Sequence, residues 1–322
     1  MSEPQNSSDV VLLDTQDGIA YLTINRPQAL NALNAEVRAQ LVGKFKVAEA
    51  DPQVNAIVIR GAGGKAFVAG ADIKLFLERI KGGRFAEQVS SSAEGHEMLL
   101  SIENSKKITV AVLNGLSLGG GSELALACQA IVATPAGSMG FPETSIGIYP
   151  GSGGMLRMAR QVGPQLAKYY TFTGRSLPAQ DLYDLGIAIK LVEPAELEKT
   201  IKEVCAGPAP DKYRKRVIPA RFQEMADVCS PDNVKLLLAG KKPVGVSDEV
   251  AEKTLATMSK KAPLALKVSN ELIDAQEKAV SISEGMKLEL GRMTEIFASA
   301  DALAGISAAA AGIKERPVYQ GK

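Results

Sequence analysis

The chain has a single histidine, His96, among 322 residues, and that scarcity excludes a whole class of chemistry. The run Gly115-Leu116-Ser117-Leu118-Gly119 has the G-x-S-x-G form of a hydrolase nucleophile elbow. That elbow needs a histidine base after the serine in chain order, and His96 comes before it. A lone histidine on a mixed helix face reads instead as a surface or packing residue. Cysteine is nearly as sparse. Cys128, Cys205 and Cys229 are odd in number and lack metal-ligand spacing, which argues against a disulfide framework and a zinc site and fits a reduced, cytoplasmic setting. Net charge is almost absent at +1, so no broad field draws the chain to nucleic acid or to an anionic membrane. Long apolar runs are missing too. The longest candidate, Ile108 to Ala133, is broken by glycines and Glu123, short of the ~18 residues of a membrane span, and Met1 to Asp9 is polar and unlike a signal peptide. Neither Gly119–Gly121 nor Gly151–Gly154 builds G-x-G-x-x-G between a first strand and helix, so a nicotinamide or flavin site finds no support.

What is present is an ordinary globular composition, 46% hydrophobic and 23% charged, able to bury a sizeable core. Val10–Leu13 and Ala20–Ile24 read as a hairpin turned by Asp17-Gly18, and Asn34 as the cap of a helix to about Ala50. Ala56–Arg60 and Thr109–Leu113 are β-branched runs with the look of buried strands. Gly61–Lys74 reads as a glycine-rich loop entering a helix near Ile73, and Glu78 to Ser92 as a polar, mobile stretch. Gly119-Gly120-Gly121 opens a helix over Ser122–Cys128, followed by strand-like Ala130–Ala133 and Ser138–Phe141, and further helices reach about Leu185. This alternation predicts an α/β fold with a mostly parallel sheet. Beyond Pro194 the pattern is almost wholly helical, with Pro-, Gly-, Lys- and Asp-rich Ala206–Ser247 reading as an insertion or linker.

Three segments carry candidate chemistry. In Lys65-Ala66-Phe67-Val68-Ala69-Gly70-Ala71-Asp72-Ile73-Lys74, small residues let a ligand approach the backbone, and a helix start leaves N–H groups unpaired; an ordinary strand-to-helix turn has the same look. In Asn114-Gly115-Leu116-Ser117-Leu118-Gly119-Gly120-Gly121-Ser122-Glu123, Gly120 begins a helix and can aim its N–H at developing negative charge, with Glu123 in the first turn. An acidic residue there also suits the helix dipole, but three successive glycines in an apolar stretch ask for a further reason. In the third, Phe141 to Gly154, Glu143 stands between Phe141-Pro142 and Ile146. Burial would raise its pKa and make it a proton donor; a surface-loop carboxylate is the plainer reading.

Taken together and in this order, with Asn25-Arg26-Pro27-Gln28-Ala29-Leu30-Asn31-Ala32-Leu33 before them, the segments resemble the crotonase superfamily and most closely its enoyl-CoA hydratases. The similarity is clear from about Val11 to Val192 and returns weakly near Phe297–Tyr319. It implies a spiral of ββα units with a helical C-terminal trimerisation region, divided as a catalytic core over 1–195, a mostly helical insertion over 196–247 and an oligomerisation region over 248–322. It implies that the N–H groups of Ala71 and Gly120 form an oxyanion hole for a thioester carbonyl. Glu123 would activate water, and Glu143 would protonate the carbon α to the carbonyl, the chain folding back so that both reach the double bond. Coenzyme A would meet Ala29, Lys65, Ala69, Asp72, Ile73 and Lys74, although exposed lysines are usually just solvated, and a neighbour's Lys314 could add to them. The resemblance further implies an acyl-CoA substrate, no metal or redox cofactor, and a homo-oligomer, trimer or hexamer.

Two rivals differ at named positions. Isomerases of the superfamily often keep only the Glu143 carboxylate, so Glu123 favours a hydratase. The run Pro142-Glu143-Thr144-Ser145-Ile146-Gly147 resembles the 3-hydroxyisobutyryl-CoA hydrolase branch, as does the material around Asn233–Lys235 and Ala262–Lys267. That branch usually has aspartate where Gly151 follows Pro150, and lacks a glutamate at the Glu123 position. A non-catalytic CoA- or RNA-binding relative should have lost one or both glutamates, and an RNA binder should be basic.

Overall fold

The Asp17-Gly18 pair, at φ 53° and 76°, turns the chain between β1 (Val11–Gln16) and β2 (Ile19–Ile24), the hairpin its sequence predicts. Asn34 caps α1 (Ala35–Ala50), its side chain accepting from the Val37 amide at 2.8 Å. The chain then runs through β3 (Ala56–Gly61), β4 (Ala66–Ala69), α2 (Ile73–Lys81), α3 (Phe85–Glu103), β5 (Ile108–Leu113), β6 (Leu116–Leu118), α4 (Gly120–Ala127), β7 (Ala130–Ala133) and β8 (Ser138–Gly140). A single 3₁₀ turn, Glu143–Ile146, precedes α5 (Gly154–Val162), α6 (Pro164–Thr173), β9 (Leu177–Pro178), α7 (Ala179–Asp184) and β10 (Lys190–Leu191). The remainder is helical: α8 (Leu197–Ala206), α9 (Ala220–Asp227), α10 (Pro231–Leu238), α11 (Asp248–Met258), α12 (Pro263–Gln276), α13 (Ile282–Phe297) and α14 (Ala300–Ala310). This computed structural model describes residues 9–313, 315 and 317–322; Lys314, named above for a role towards coenzyme A, lies outside the described residues.

The described residues fall into two compact units, each drawn from separate stretches of chain. The first comprises the described part of Met1–Ala71 with Glu97–Gly140 and Leu177–Arg214; the second comprises Asp72–His96, Phe141–Ser176 and the described part of Lys215–Lys322.

Both sheets lie in the first unit. The larger has strand order β1-β2-β3-β5-β7-β10, parallel except for the opening hairpin. The smaller runs β4-β6-β8-β9, parallel except for its last pair. The pairs β3–β4, β5–β6 and β7–β8 each give one strand to the larger sheet and the next to the smaller, which is the ββα repeat in physical form. All six residues of β5 are buried, as a parallel strand covered on both faces requires. Strands β4 and β6 escape the sequence reading because they are three or four residues long and bounded by glycine, too short to show alternation.

In the second unit α12 packs on α6 and α13, and α14 packs on α2. Its core gathers Ile148, Met155, Val268, Leu272, Ile296 and Phe297. Here the structure corrects the stretch Glu78–Ser92, which is helical except for the Gly82–Arg84 break. Phe85 and Val89, four apart on one face of α3, pack on this core, and the polar Gln88 and Ser91 are themselves buried. Within 196–247, residues 207–219 form no regular element, whereas α9 and α10 are packed, with Phe222 fully buried. Among the described residues no helix is long and apolar enough to cross a membrane.

Candidate active site

In the first unit one buried amide organises the run from Asn25 to Leu33. Asn31, fully buried at φ 59°, donates through Nδ2 to the carbonyls of Ala62 (3.0 Å) and Ala66 (2.9 Å) and accepts from the Arg26 amide through Oδ1 (2.9 Å). The loop holding Ala29 is thereby locked beside β4, where the Ala69 amide donates to Leu30 O at 3.0 Å and the Leu33 amide to Gly70 O at 2.9 Å. Asn31 belongs to the Asn25–Leu33 run by sequence, but no local signal gives it this part, because its two carbonyl acceptors lie more than thirty positions away.

A second buried side chain fixes the start of α4. Ser122 Oγ lies 3.0 Å from both Ser117 O and Gly140 O, donates to one of them, and accepts from the Gly140 amide at 3.2 Å. Gly119, at φ 48° and ψ −120°, adopts a conformation open to glycine alone and sends its amide to Gly140 O at 2.9 Å. As the first residue of α4, Gly120 has no intrahelical acceptor for its N–H. A Cβ built on Gly120 would stand 3.9 Å from the Ala71 nitrogen, so the two backbones named for the oxyanion hole are neighbours. Glu123 follows in the first turn of α4, 3% exposed, its amide bonded to Gly119 O at 3.0 Å. Ala29, Ala69, Ala71, Gly120 and Glu123 thus share the first unit, together with Lys65, whose side chain is exposed.

Glu143 belongs to the second unit, as do Asp72, Ile73 and Lys74. It is 8% exposed, so the structure sets aside the plainer reading of a surface-loop carboxylate. Its short turn is fixed on several sides. Thr144 Oγ1 donates to Thr171 O (3.1 Å), the Ala262 amide donates to Thr144 O (3.0 Å), and Tyr319 Oη donates to Ser145 O (2.6 Å). Lys261, 5% exposed, donates through Nζ to Ser145 Oγ at 2.6 Å.

The glycine-rich loop before α5 is held by buried polar side chains. The Gly153 amide donates to Glu289 Oε2 (2.8 Å), Gln276 Nε2 donates to Glu289 Oε1 (2.7 Å), and Arg157 Nη1 donates to Ser152 O (2.9 Å). His96, 3% exposed, places Nε2 2.6 Å from Gly151 O. A carbonyl can only accept, so Nε2 carries the proton. Burial, chiefly, holds the His96 pKa below its ordinary 6.5, and Arg157 pushes the same way against the raising effect of the Gly151 carbonyl. A Cβ on Gly151 would meet Met293 Cε at 3.2 Å and Tyr149 Cε2 at 3.3 Å, a tight fit.

Asp72 caps α2, its carboxylate accepting from the Lys74 amide at 3.1 Å. Lys74 lines an open hollow of about 620 Å³ in the second unit with Leu77, Lys81, Ala304 and Ala308. Among the described residues no group of three or more His, Cys, Asp and Glu side chains is placed to hold a metal ion.

The sequence matches the family model described as enoyl-CoA hydratase/isomerase over residues 19–322. A short-chain-enoyl-CoA hydratase of Clostridium acetobutylicum is 38% identical over 196 residues, 60% of this chain and 73% of that protein. A mitochondrial 3-hydroxyisobutyryl-CoA hydrolase of Xenopus laevis is 30% identical over 294 residues, 85% of this chain and 75% of that protein. The fold is that of a solved enoyl-CoA hydratase from Rhodobacter sphaeroides, with a TM-score of 0.82 at 24% identity over 97% of this chain and 93% of that one.

Proposed function

The chain belongs to the enoyl-CoA hydratase/isomerase family, and from that premise we propose that it adds water reversibly to a 2-enoyl-CoA, giving a 3-hydroxyacyl-CoA. The observation that carries this reading is the neighbouring pair of Ala71 and Gly120 backbones, with Glu123 following in the first turn of the same helix. The Ala71 and Gly120 amides receive the thioester oxygen as negative charge develops on it, and the helix N-terminus adds its positive end. Glu123 holds the water and takes its proton. Glu143, buried and on a fixed turn, delivers a proton to the α-carbon. Enolate stabilisation by hydrogen bonds requires no metal or redox cofactor. Ala29, Lys65, Ala69, Asp72, Ile73 and Lys74 are assigned to coenzyme A, the small residues through backbone approach and the lysines through its phosphates. The active form is a homo-oligomer, trimer or hexamer, of the cytoplasm.

A thioester hydrolase is the second reading, favoured by the likeness to the Xenopus laevis hydrolase across 85% of this chain. Gly151, where that branch usually has aspartate, and the presence of Glu123 favour hydration. The test is a panel of CoA thioesters, with crotonyl-CoA and 3-hydroxyisobutyryl-CoA included, scored in parallel for hydration and for free-thiol release. Hydration without thiol release is expected; thiol release without hydration moves the chain to the hydrolase reading.

A further inference from the structure

We propose that Lys261 is a positioning residue for Glu143: its ammonium, bonded to Ser145, holds the one-turn helix that carries the carboxylate. This rests on the reading of Glu143 as proton donor.

Lys261 stands at the junction of α11 and α12, far from that turn in sequence and against it in space. Its Nζ donates to Ser145 Oγ at 2.6 Å, and Ser145 is two residues past Glu143 on the same 3₁₀ turn. The next residue, Ala262, donates its amide to Thr144 O at 3.0 Å. Two consecutive residues of the junction therefore grip two consecutive residues of the turn, one through a side chain and one through the main chain. The remaining sides are taken by α6, through Thr171 O, and by the C-terminal stretch, through the Tyr319 hydroxyl. The glycine at the end of α6 makes room for the ammonium. A Cβ on Gly174 would stand 2.9 Å from Lys261 Nζ.

Packing does not explain a lysine here. Burying an ammonium is costly unless it is well bonded, and an apolar side chain of similar length in its place is often neutral or stabilising. Methionine would fill the space without that desolvation, but it has no donor for Ser145 Oγ. What the lysine adds over methionine is directional: a charged, short hydrogen bond that fixes the rotation of the turn and so the point from which Glu143 reaches out. Small displacements of a proton-transfer group are felt mainly in the chemical step, because the binding contacts are made elsewhere.

The experiment uses the full chain and crotonyl-CoA hydration, comparing Lys261→Met, Ser145→Ala, the double variant and Glu143→Gln. Lys261→Met and Ser145→Ala should each lower kcat roughly ten- to hundred-fold with KM nearly unchanged, the scale set by small misplacements of catalytic groups. The double variant should be no worse than the poorer single, because both remove one bond. Wild-type kcat in Lys261→Met, or a double variant whose loss is the product of the two single losses, overturns the proposal. If Lys261→Met does not fold, Ser145→Ala decides alone: unchanged kcat overturns it, and reduced kcat at unchanged KM supports it. Full activity in Glu143→Gln removes the underlying reading instead, whereas an inactive Glu143→Gln beside a fully active Lys261→Met removes only the assignment of Lys261.

Discussion

A methyl group added to Gly120 would stand 3.9 Å from the Ala71 nitrogen and 3.6 Å from Leu33 Cδ1, in ordinary contact with both. Nothing in the fold resists it, yet under the proposed oxyanion hole it would crowd a thioester oxygen accepting from both amides. Gly120→Ala should therefore fold and melt like the parent while kcat for hydration falls by about 10²–10³, the loss typical of one oxyanion donor. Parent-like turnover, measured beside a thermal melt, would remove Gly120 from the oxyanion hole.

The neighbouring glycine should behave in the opposite way. A Cβ on Gly121 would lie 2.1 Å from Val68 O and 2.7 Å from Val68 Cβ, closer than atoms can stand. Strand β4 would have to shift, so Gly121→Ala should cost roughly 1–3 kcal/mol of stability or more, as overpacking does. Chemical denaturation of the two alanine variants side by side separates the steric role from the chemical one.

Glu123→Gln and Glu143→Gln keep the shape of the side chain while removing the carboxyl group that takes or gives the proton. Each should lower crotonyl-CoA hydration by roughly 10²–10⁴, the usual contribution of positioned acid–base groups, and leave the fold intact. Turnover near that of the parent in either variant, with a circular dichroism spectrum to match, would contradict the paired roles.

Local signals in the chain are legible and long-range ones are not. Asp17-Gly18 and the Asn34 cap act within four residues of themselves, so their chemistry can be read directly. Glu143 is only half legible: apolar neighbours such as Phe141, itself 1% exposed, allow its burial, but a surface-loop carboxylate is the plainer reading until the fold is seen. Gly120 and Ala71 are paired only through the family resemblance, because nothing in the spacing of a 49-residue separation brings two amides together. Lys261 meets Ser145 across 116 positions and His96 meets Gly151 across 55, and no periodicity announces either contact. Both residues look like ordinary members of a helical stretch until the tertiary fold supplies their partners.

His96 makes the stability of the protein depend on pH in a stated direction. In the folded chain burial holds its pKa below 6.5, with Arg157 acting in the same sense; the Gly151 carbonyl pulls the other way without reversing it. An unfolded chain takes the proton near the ordinary value, so below that pH the unfolded state binds more protons than the folded one. The stabilisation is complete above 6.5 and is lost as pH falls below it, with a slope approaching about 1.4 kcal/mol per pH unit for one proton. Carboxylates titrate over part of the same range, so the informative quantity is a difference between two proteins. Glutamine at this position keeps an N–H donor for Gly151 O and cannot titrate. Urea denaturation of the parent and of His96→Gln at a series of pH values from 7.5 to 5, a range chosen about the ordinary histidine pKa of ~6.5, should give a shallower decline in the variant. Equal slopes would mean that His96 takes up its proton as readily in the folded chain as in the unfolded one, and that the loop from Tyr149 to Gly153 does not depend on a neutral imidazole.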